Sequence, residues 1–363
     1  MTFRISAPLL VCLSLAVSAL RAEQEPAGSF RVGMAFRSFA PNEPYNWRGA
    51  KTHALRTTIW YPADASAAEQ PLQIPGLTFF VLGKVAQNAS FPSGPARFPL
   101  ILLSHGTGGT ALSLAWFASA LAARGFIVAG VNHPGNNAAE PYTVEGFSTW
   151  WERARDLTEV LDAILKDSTF GTRIDGRRIG AAGFSLGGYT MIEIAGGITD
   201  PAAFIDFCAS SKADAICSSP PEFPTLIEDF KKLTKEKPDL FRHASDSYRD
   251  RRVRGVFAMA PAMGPAFRPE SLTKISIPLQ IVAGEGDTNV PVGSGAKYLA
   301  ATIPGAKLLV CPGAVGHYAF LDSCTEQGRK SAPILCSDAT GVDRDTVHSQ
   351  TVNSALQFFS HVL

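Results

Sequence analysis

The sequence lacks a surplus of charge of either sign and lacks the usual spacings of metal-binding residues. Lysine and arginine number 33 against 32 aspartates and glutamates, and no basic run is interleaved with aromatic residues. This balance does not favour a nucleic-acid partner. Neither Cys-x-x-Cys nor His-x-x-x-His occurs, so no metal or other cofactor is predicted. Repeats and low-complexity tracts are also missing, whereas 363 residues that are 46% hydrophobic suffice for a large globular core.

The N-terminal apolar run is well short of the roughly 20 residues that a membrane span needs. Residues 8–20 are apolar and follow Arg4, and small residues allow cleavage after Ala19 or Ala22. We therefore expect residues 1–22 to be a signal peptide and the protein to be exported, to the periplasm or outside the cell. A membrane anchor is the alternative that the same segment leaves open.

The six cysteines are few, and one of them lies inside the expected signal peptide. An exported chain can keep disulfides. Two local pairs lie in loop-like stretches, Cys208 with Cys217 and Cys324 with Cys336, whereas Cys311 ends an apolar strand pattern and is expected to be a buried free thiol. Spacing alone does not fix the connectivity.

Short apolar runs alternate with helical stretches from residue 98 onward, and this rhythm predicts crossover units and a parallel sheet covered on both faces. We expect one α/β domain over residues 23–363, with a mostly parallel central sheet flanked by helices. A segment at about 199–252 interrupts the rhythm and is expected to be a helical insertion, either a lid over the site or a decoration at the sheet edge. The predicted strands are 29–39, 54–62, 77–82, 100–103, 126–131, 178–184, 253–260, 277–283 and 307–310, and the predicted helices are 111–124, 150–167, 186–196, 293–302 and 342–361.

A Gly-Phe-Ser-Leu-Gly pentapeptide, residues 183–187, lies where a predicted buried strand ends and a predicted helix begins. A nucleophilic serine requires this strand-to-helix turn, because a strained backbone there projects the hydroxyl above the sheet. The flanking glycines relieve clashes with the neighbouring strand and helix. Ser185 is therefore the candidate nucleophile, and a glycine-rich turn without chemistry is the alternative.

Attack on an ester or amide carbonyl creates an oxyanion, which two backbone amides must stabilise. Leu186, directly after the serine, is expected to supply one of them. Residues 102–109, Leu-Leu-Ser-His-Gly-Thr-Gly-Gly, end an earlier predicted strand with enough glycine to expose a second amide. Thr107 is the candidate there, and a merely flexible turn is the alternative.

Position along the chain selects one histidine as the base. In a hydrolase of this type the nucleophile, the acid and the histidine follow one another in that order. His317 lies after Ser185, in a glycine-rich loop that follows a predicted strand. The other six histidines precede the serine, lie in the insertion or lie on the final helix: His53, His105, His133, His243, His348 and His361.

The acid is expected after a strand between the serine and the histidine. The predicted strand 253–260 is followed by Pro-Ala and offers no carboxylate there, whereas residues 284–291 read Gly-Glu-Gly-Asp-Thr-Asn-Val-Pro. Asp287 is the first choice, because its place just before the helix entry would let it orient His317. Glu285, expected to face outward, is the alternative.

Five motifs in order along the chain resemble the dienelactone-hydrolase-like and platelet-activating-factor-acetylhydrolase-like branch of the α/β hydrolases. The resemblance covers roughly residues 54–360. The branch's dienelactone hydrolases proper use a cysteine where this chain has Ser185, and the acid position is more similar to that of secreted polyester hydrolases and cutinases. The motifs are Ser-His-Gly-Thr-Gly-Gly at 104–109, Val-Asn-His-Pro-Gly-Asn at 131–136, Gly-Phe-Ser-Leu-Gly-Gly at 183–188, the acid segment at 284–291 and Gly-His-Tyr-Ala-Phe-Leu at 316–321.

These residues predict a carboxylic-ester hydrolase that works through an acyl-enzyme on a small-molecule or lipid-like ester. An amidase or a thioesterase could use the same three residues, and a non-catalytic binding protein could keep the same fold. All three alternatives remain open at this point.

Overall fold

The computed structural model describes residues 29–41 and 44–363. The expected signal peptide, residues 1–22, lies outside the described residues. Within the described ranges, no helix combines the length and the hydropathy that crossing a bilayer requires.

Ten strands form one sheet in the order β10-β9-β8-β7-β5-β6-β2-β1-β4-β3. The strands from β5 to β10 pair in parallel, whereas β2 pairs antiparallel with both β1 and β6. The sheet is therefore mostly parallel, as the sequence predicted. The strands are β1 Arg31–Phe39, β2 Leu55–Ala63, β3 Gln70–Pro71, β4 Lys84–Gln87, β5 Phe98–Ser104, β6 Ile127–Val131, β7 Ile174–Phe184, β8 Val253–Met259, β9 Leu279–Gly284 and β10 Lys307–Cys311.

Helices cover both faces of the sheet. Core residues of α3 and α4 pack on one face, and core residues of α1 and α11 pack on the other. Every residue of β5 is buried, which explains why this strand is continuously apolar rather than alternating. The helices are α1 Ala115–Ala122, α2 Val144–Ser148, α3 Glu152–Ile164, α4 Leu186–Ala195, α5 Pro201–Ala209, α6 Leu226–Glu236, α7 Pro269–Leu272, α8 Tyr298–Thr302, α9 Glu326–Ser331, α10 Pro333–Cys336 and α11 Arg344–Val362.

The predicted strand at 77–82 is wrong. Gly76 and Gly83 flank this segment with φ of +82° and +75°, so the extended backbone is broken at both of its ends. Phe80 makes only an isolated bridge, to Cys324. The strand that joins the sheet next to β1 is instead β4, whose two central residues are buried.

The segment between α4 and β8 contains α5 and α6. Asp200 caps α5 by accepting from the amides of its first turn, and α6 packs on α2. A disulfide joins Cys208, at the end of α5, to Cys217. The second disulfide joins Cys324 to Cys336, and Cys311 is a free, buried thiol, so all three cysteine predictions are confirmed.

Candidate active site

Ser185 occupies the sharp turn between β7 and α4. Its backbone has φ of 56° and ψ of −117°, a conformation that is costly for a residue with a side chain. The Ser185 amide donates to the Met259 carbonyl over 2.9 Å, and its carbonyl accepts from the Tyr189 amide over 3.0 Å. A Cβ at Gly187 would overlap the backbone oxygen of Ser104. The turn is therefore held by neighbouring backbone and leaves no room for a side chain at Gly187.

The structure brings together the three side chains that the sequence selected. Nε2 of His317 lies 2.9 Å from Oγ of Ser185, and Nδ1 of the same ring lies 2.6 Å from Oδ2 of Asp287. All three residues are buried. Because a carboxylate only accepts hydrogen bonds, Nδ1 carries the hydrogen and Nε2 is left to accept the serine hydroxyl.

Asp287 and Glu285 have different surroundings. The second carboxylate oxygen of Asp287 accepts from the amides of Asn289 and Val290, over 3.0 and 2.8 Å. Glu285 is exposed, and its carboxylate accepts from the Gly313 amide over 2.7 Å. The structure thus places Asp287, and not Glu285, against the histidine.

The two amides proposed for an oxyanion flank the serine. Thr107 and Leu186 line the same cavity as Ser185. A Cβ built on Gly106 would lie 3.3 Å from Cβ of Ser185, so the loop after β5 passes directly beside the nucleophile. Within the part of the chain that the structure describes, neither amide donates to a protein acceptor.

A cavity of about 1150 Å³ opens around Ser185 and His317. The segment 199–252 supplies much of its wall, so this segment covers the candidate site rather than decorating a distant edge. Trp150 lines the cavity, whereas the neighbouring Trp151 is fully buried against Phe241. The apolar wall residues of the segment include Phe204, Ile205, Leu226, Ile227 and Phe230.

One carboxylate in the cavity was not found from the sequence. Glu222 is half-buried in the wall of this cavity. Burial raises the pKa of Glu222, and a backbone hydrogen bond and the nearby His317 partly offset that rise. Burial also raises the pKa of Tyr318 to about 12, with help from the charges of Glu222 and Asp287. A single glutamate in an irregular segment carries no sequence pattern that could have marked it.

Two histidines that were excluded as bases lie buried beneath the site. Nδ1 of His105 is 2.6 Å from the Gly106 carbonyl oxygen. Nδ1 of His133 is 2.6 Å from Oδ2 of Asp156, and its Nε2 is 2.9 Å from Oγ of Ser104. Sequence order disqualified both as the base but indicated no other role. Within residues 29–41 and 44–363, no group of three or more His, Cys, Asp or Glu side chains is arranged to hold a metal ion.

Residues 100–327 match the alpha/beta hydrolase family, and the chain belongs to that family. The fold is also similar to that of a ferulic acid esterase from Streptomyces cinnamoneus, with a TM-score of 0.64. That match has 21% sequence identity and covers 93% of this chain and 92% of the other, and at this identity it shows the shared fold. The superfamily prediction is confirmed, whereas the narrower branch stays a prediction.

Proposed function

We propose that this chain is an exported serine hydrolase that cleaves carboxylic esters through an acyl-enzyme. The observation that supports it best is the continuous hydrogen-bonded series from Ser185 through His317 to Asp287. This series lies on a strained strand-to-helix turn and faces a large cavity. Such an arrangement serves nucleophilic attack on a carbonyl and is difficult to explain by packing alone.

In the proposed reaction, Oγ of Ser185 attacks the ester carbonyl while Nε2 of His317 takes the hydroxyl proton. The carbonyl oxygen becomes an oxyanion, which accepts hydrogen bonds from the amides of Thr107 and Leu186. As the tetrahedral intermediate collapses, the bond to the alcohol oxygen breaks and His317 donates the proton to that oxygen. A water then attacks the acyl-enzyme with His317 as the base, and the acid leaves as Ser185 regains its proton. Asp287 holds the ring in the tautomer that each step requires.

The cavity favours a bulky hydrophobic ester. Its volume of about 1150 Å³ and its aromatic wall exceed the needs of an acetyl group. Aromatic esters are included in the proposal because the cavity is lined by Phe147, Trp150 and Phe204 and because a protein of similar fold is a ferulic acid esterase.

A matched substrate panel tests this proposal. The purified mature protein is assayed with p-nitrophenyl esters from acetate to decanoate, with a hydroxycinnamate ester, and with an amide and a thioester of one common acyl group. We expect the highest kcat/KM with a medium-chain or aromatic ester and no turnover by Ser185→Ala. Faster cleavage of the amide or the thioester than of the matched ester would contradict the ester assignment.

Export is a separate part of the proposal. It is supported by the N-terminal apolar run after Arg4 and by two disulfides, which persist mainly in oxidising compartments. Expression of the full chain in a bacterium and N-terminal sequencing of the periplasmic product should show a start after Ala19 or Ala22. Retention of Met1 on the purified protein would contradict it.

A further inference from the structure

The peptide that joins Gly106 to Thr107 is held by hydrogen bonds to its carbonyl oxygen. Nδ1 of His105 lies 2.6 Å from the Gly106 oxygen, which also accepts from the Gly109 amide over 3.3 Å. A trans peptide is planar, and its carbonyl and its N–H point in opposite directions. Fixing the Gly106 oxygen therefore also fixes the direction of the Thr107 N–H, the amide proposed to receive the oxyanion.

The hydrogen bond at Nε2 of His105 shows which ring nitrogen carries the hydrogen. Nε2 of His105 accepts the backbone N–H of His133 over 3.2 Å. The hydrogen of the neutral ring is therefore on Nδ1, where it is donated to the Gly106 oxygen. Burial, together with the charge of Arg153, lowers the pKa of His105 well below its ordinary range and keeps the ring neutral.

The preceding peptide, which joins His105 to Gly106, is also held by a hydrogen bond to its carbonyl oxygen. Arg153, on α3, donates to the His105 carbonyl oxygen and, over 3.3 Å, to Oγ of Ser104. The Ser104 hydroxyl in turn donates to Nε2 of His133, whose Nδ1–H donates to Asp156. All five of these residues are fully buried. Asp156 is anchored further by Arg48, which lies 2.7 Å from each of its oxygens.

We propose that His105 is a positioning residue for the oxyanion hole, supported from below by Arg153, His133 and Asp156. Gly106 has no side chain to resist rotation of the peptide that follows it. Without the imidazole, this peptide can turn so that the Thr107 N–H leaves the cavity. The effect on rate rests on the proposed function, whereas the effect on the orientation of the peptide does not.

The test compares His105→Asn with His105→Leu, two side chains of similar size of which only Asn offers an N–H in place of Nδ1. For His105→Leu we expect kcat to fall about 100-fold, the usual cost of one lost oxyanion donor, with KM changed less than about threefold. His105→Asn should recover most of that loss. Equal losses in the two variants, or a loss expressed mainly in KM, would overturn the proposal, since general damage to the fold does not discriminate between them.

Crystal structures of the same two variants give a readout that needs no turnover. We expect the Gly106–Thr107 peptide to be rotated in His105→Leu and to keep its orientation in His105→Asn. An unrotated peptide in the leucine variant would refute the positioning role. If the wild-type protein hydrolyses no ester while the peptide rotates as expected, the proposed function fails and the positioning of this peptide by His105 stands.

Discussion

Replacing Asp287 by asparagine tests the proposed acid with almost no change in shape. The amides of Asn289 and Val290 donate to one carboxylate oxygen, over 3.0 and 2.8 Å. The asparagine must keep its carbonyl oxygen at that place, so its NH2 group is turned toward His317. Nδ1 must then accept a hydrogen bond, and the ring hydrogen moves to Nε2. In this tautomer His317 no longer accepts the proton of Ser185.

Loss of the correct tautomer in a serine, histidine and aspartate site costs about 10⁴-fold in kcat, or about 5 kcal/mol of barrier. We expect a loss of that order for Asp287→Asn with the best p-nitrophenyl ester, with KM little changed. Glu285→Gln is the matched control, because Glu285 is exposed and its carboxylate accepts from the Gly313 amide rather than from His317. This variant should keep activity within about threefold, as surface changes usually do. Loss of activity in Glu285→Gln, with activity retained in Asp287→Asn, would show that Asp287 is not the acid.

Three further predictions concern stability and the cavity wall. Burial lowers the pKa of His348 from 6.5 to about 4, so below pH 6.5 the unfolded chain binds a proton that the folded chain does not bind. Between about pH 6.5 and pH 4, the free energy of unfolding should therefore fall by about 3 kcal/mol more in the wild type than in His348→Gln. The same fall in the free energy of unfolding in both proteins, measured by chemical denaturation at the two pH values, would contradict this. The disulfide from Cys208 to Cys217 lies in the cavity wall and joins cysteines nine residues apart; by restricting the unfolded segment it should stabilise the folded wall by about 3 kcal/mol. Replacing both cysteines by serine should raise KM for an octanoate ester more than KM for an acetate ester. An unchanged ratio of the two KM values would count against this prediction. Gly187→Ala should lower the free energy of unfolding by about 1–3 kcal/mol, since its Cβ overlaps backbone; an unchanged thermal midpoint would show that the turn has more room than the structure indicates.

Local patterns were sufficient to predict the parallel sheet and the three central side chains. Strand β5 is buried throughout, and its short continuous apolar run is typical of a strand covered on both faces. Ser185 could be selected because glycines mark the turn, and His317 because chain order and loop context exclude the other histidines. Asp287 could be selected because no carboxylate comes directly after the predicted strand 253–260, which corresponds to β8.

Other features depend on contacts between distant segments and were not predicted. The run 77–82 has the composition of a strand, but the strand beside β1 is formed by 84–87, because pairing there depends on burial against β1. Glu222 lies in the cavity because of how the segment between α4 and β8 folds back, which no period in the sequence reveals. Likewise His105 gains its partners from the loop after β6 and from α3, and its position in the chain indicated only that it was not the base.

Labelling by a fluorophosphonate, followed by mass spectrometry of the labelled peptide, tests directly whether Ser185 is the nucleophile. We expect one adduct per chain, on Ser185, and none in Ser185→Ala. Ser218, which also lines the cavity, gives the matched control: Ser218→Ala should be labelled at the wild-type rate. An unlabelled wild-type protein, or an adduct that persists in Ser185→Ala, would contradict the assignment of Ser185 as the nucleophile.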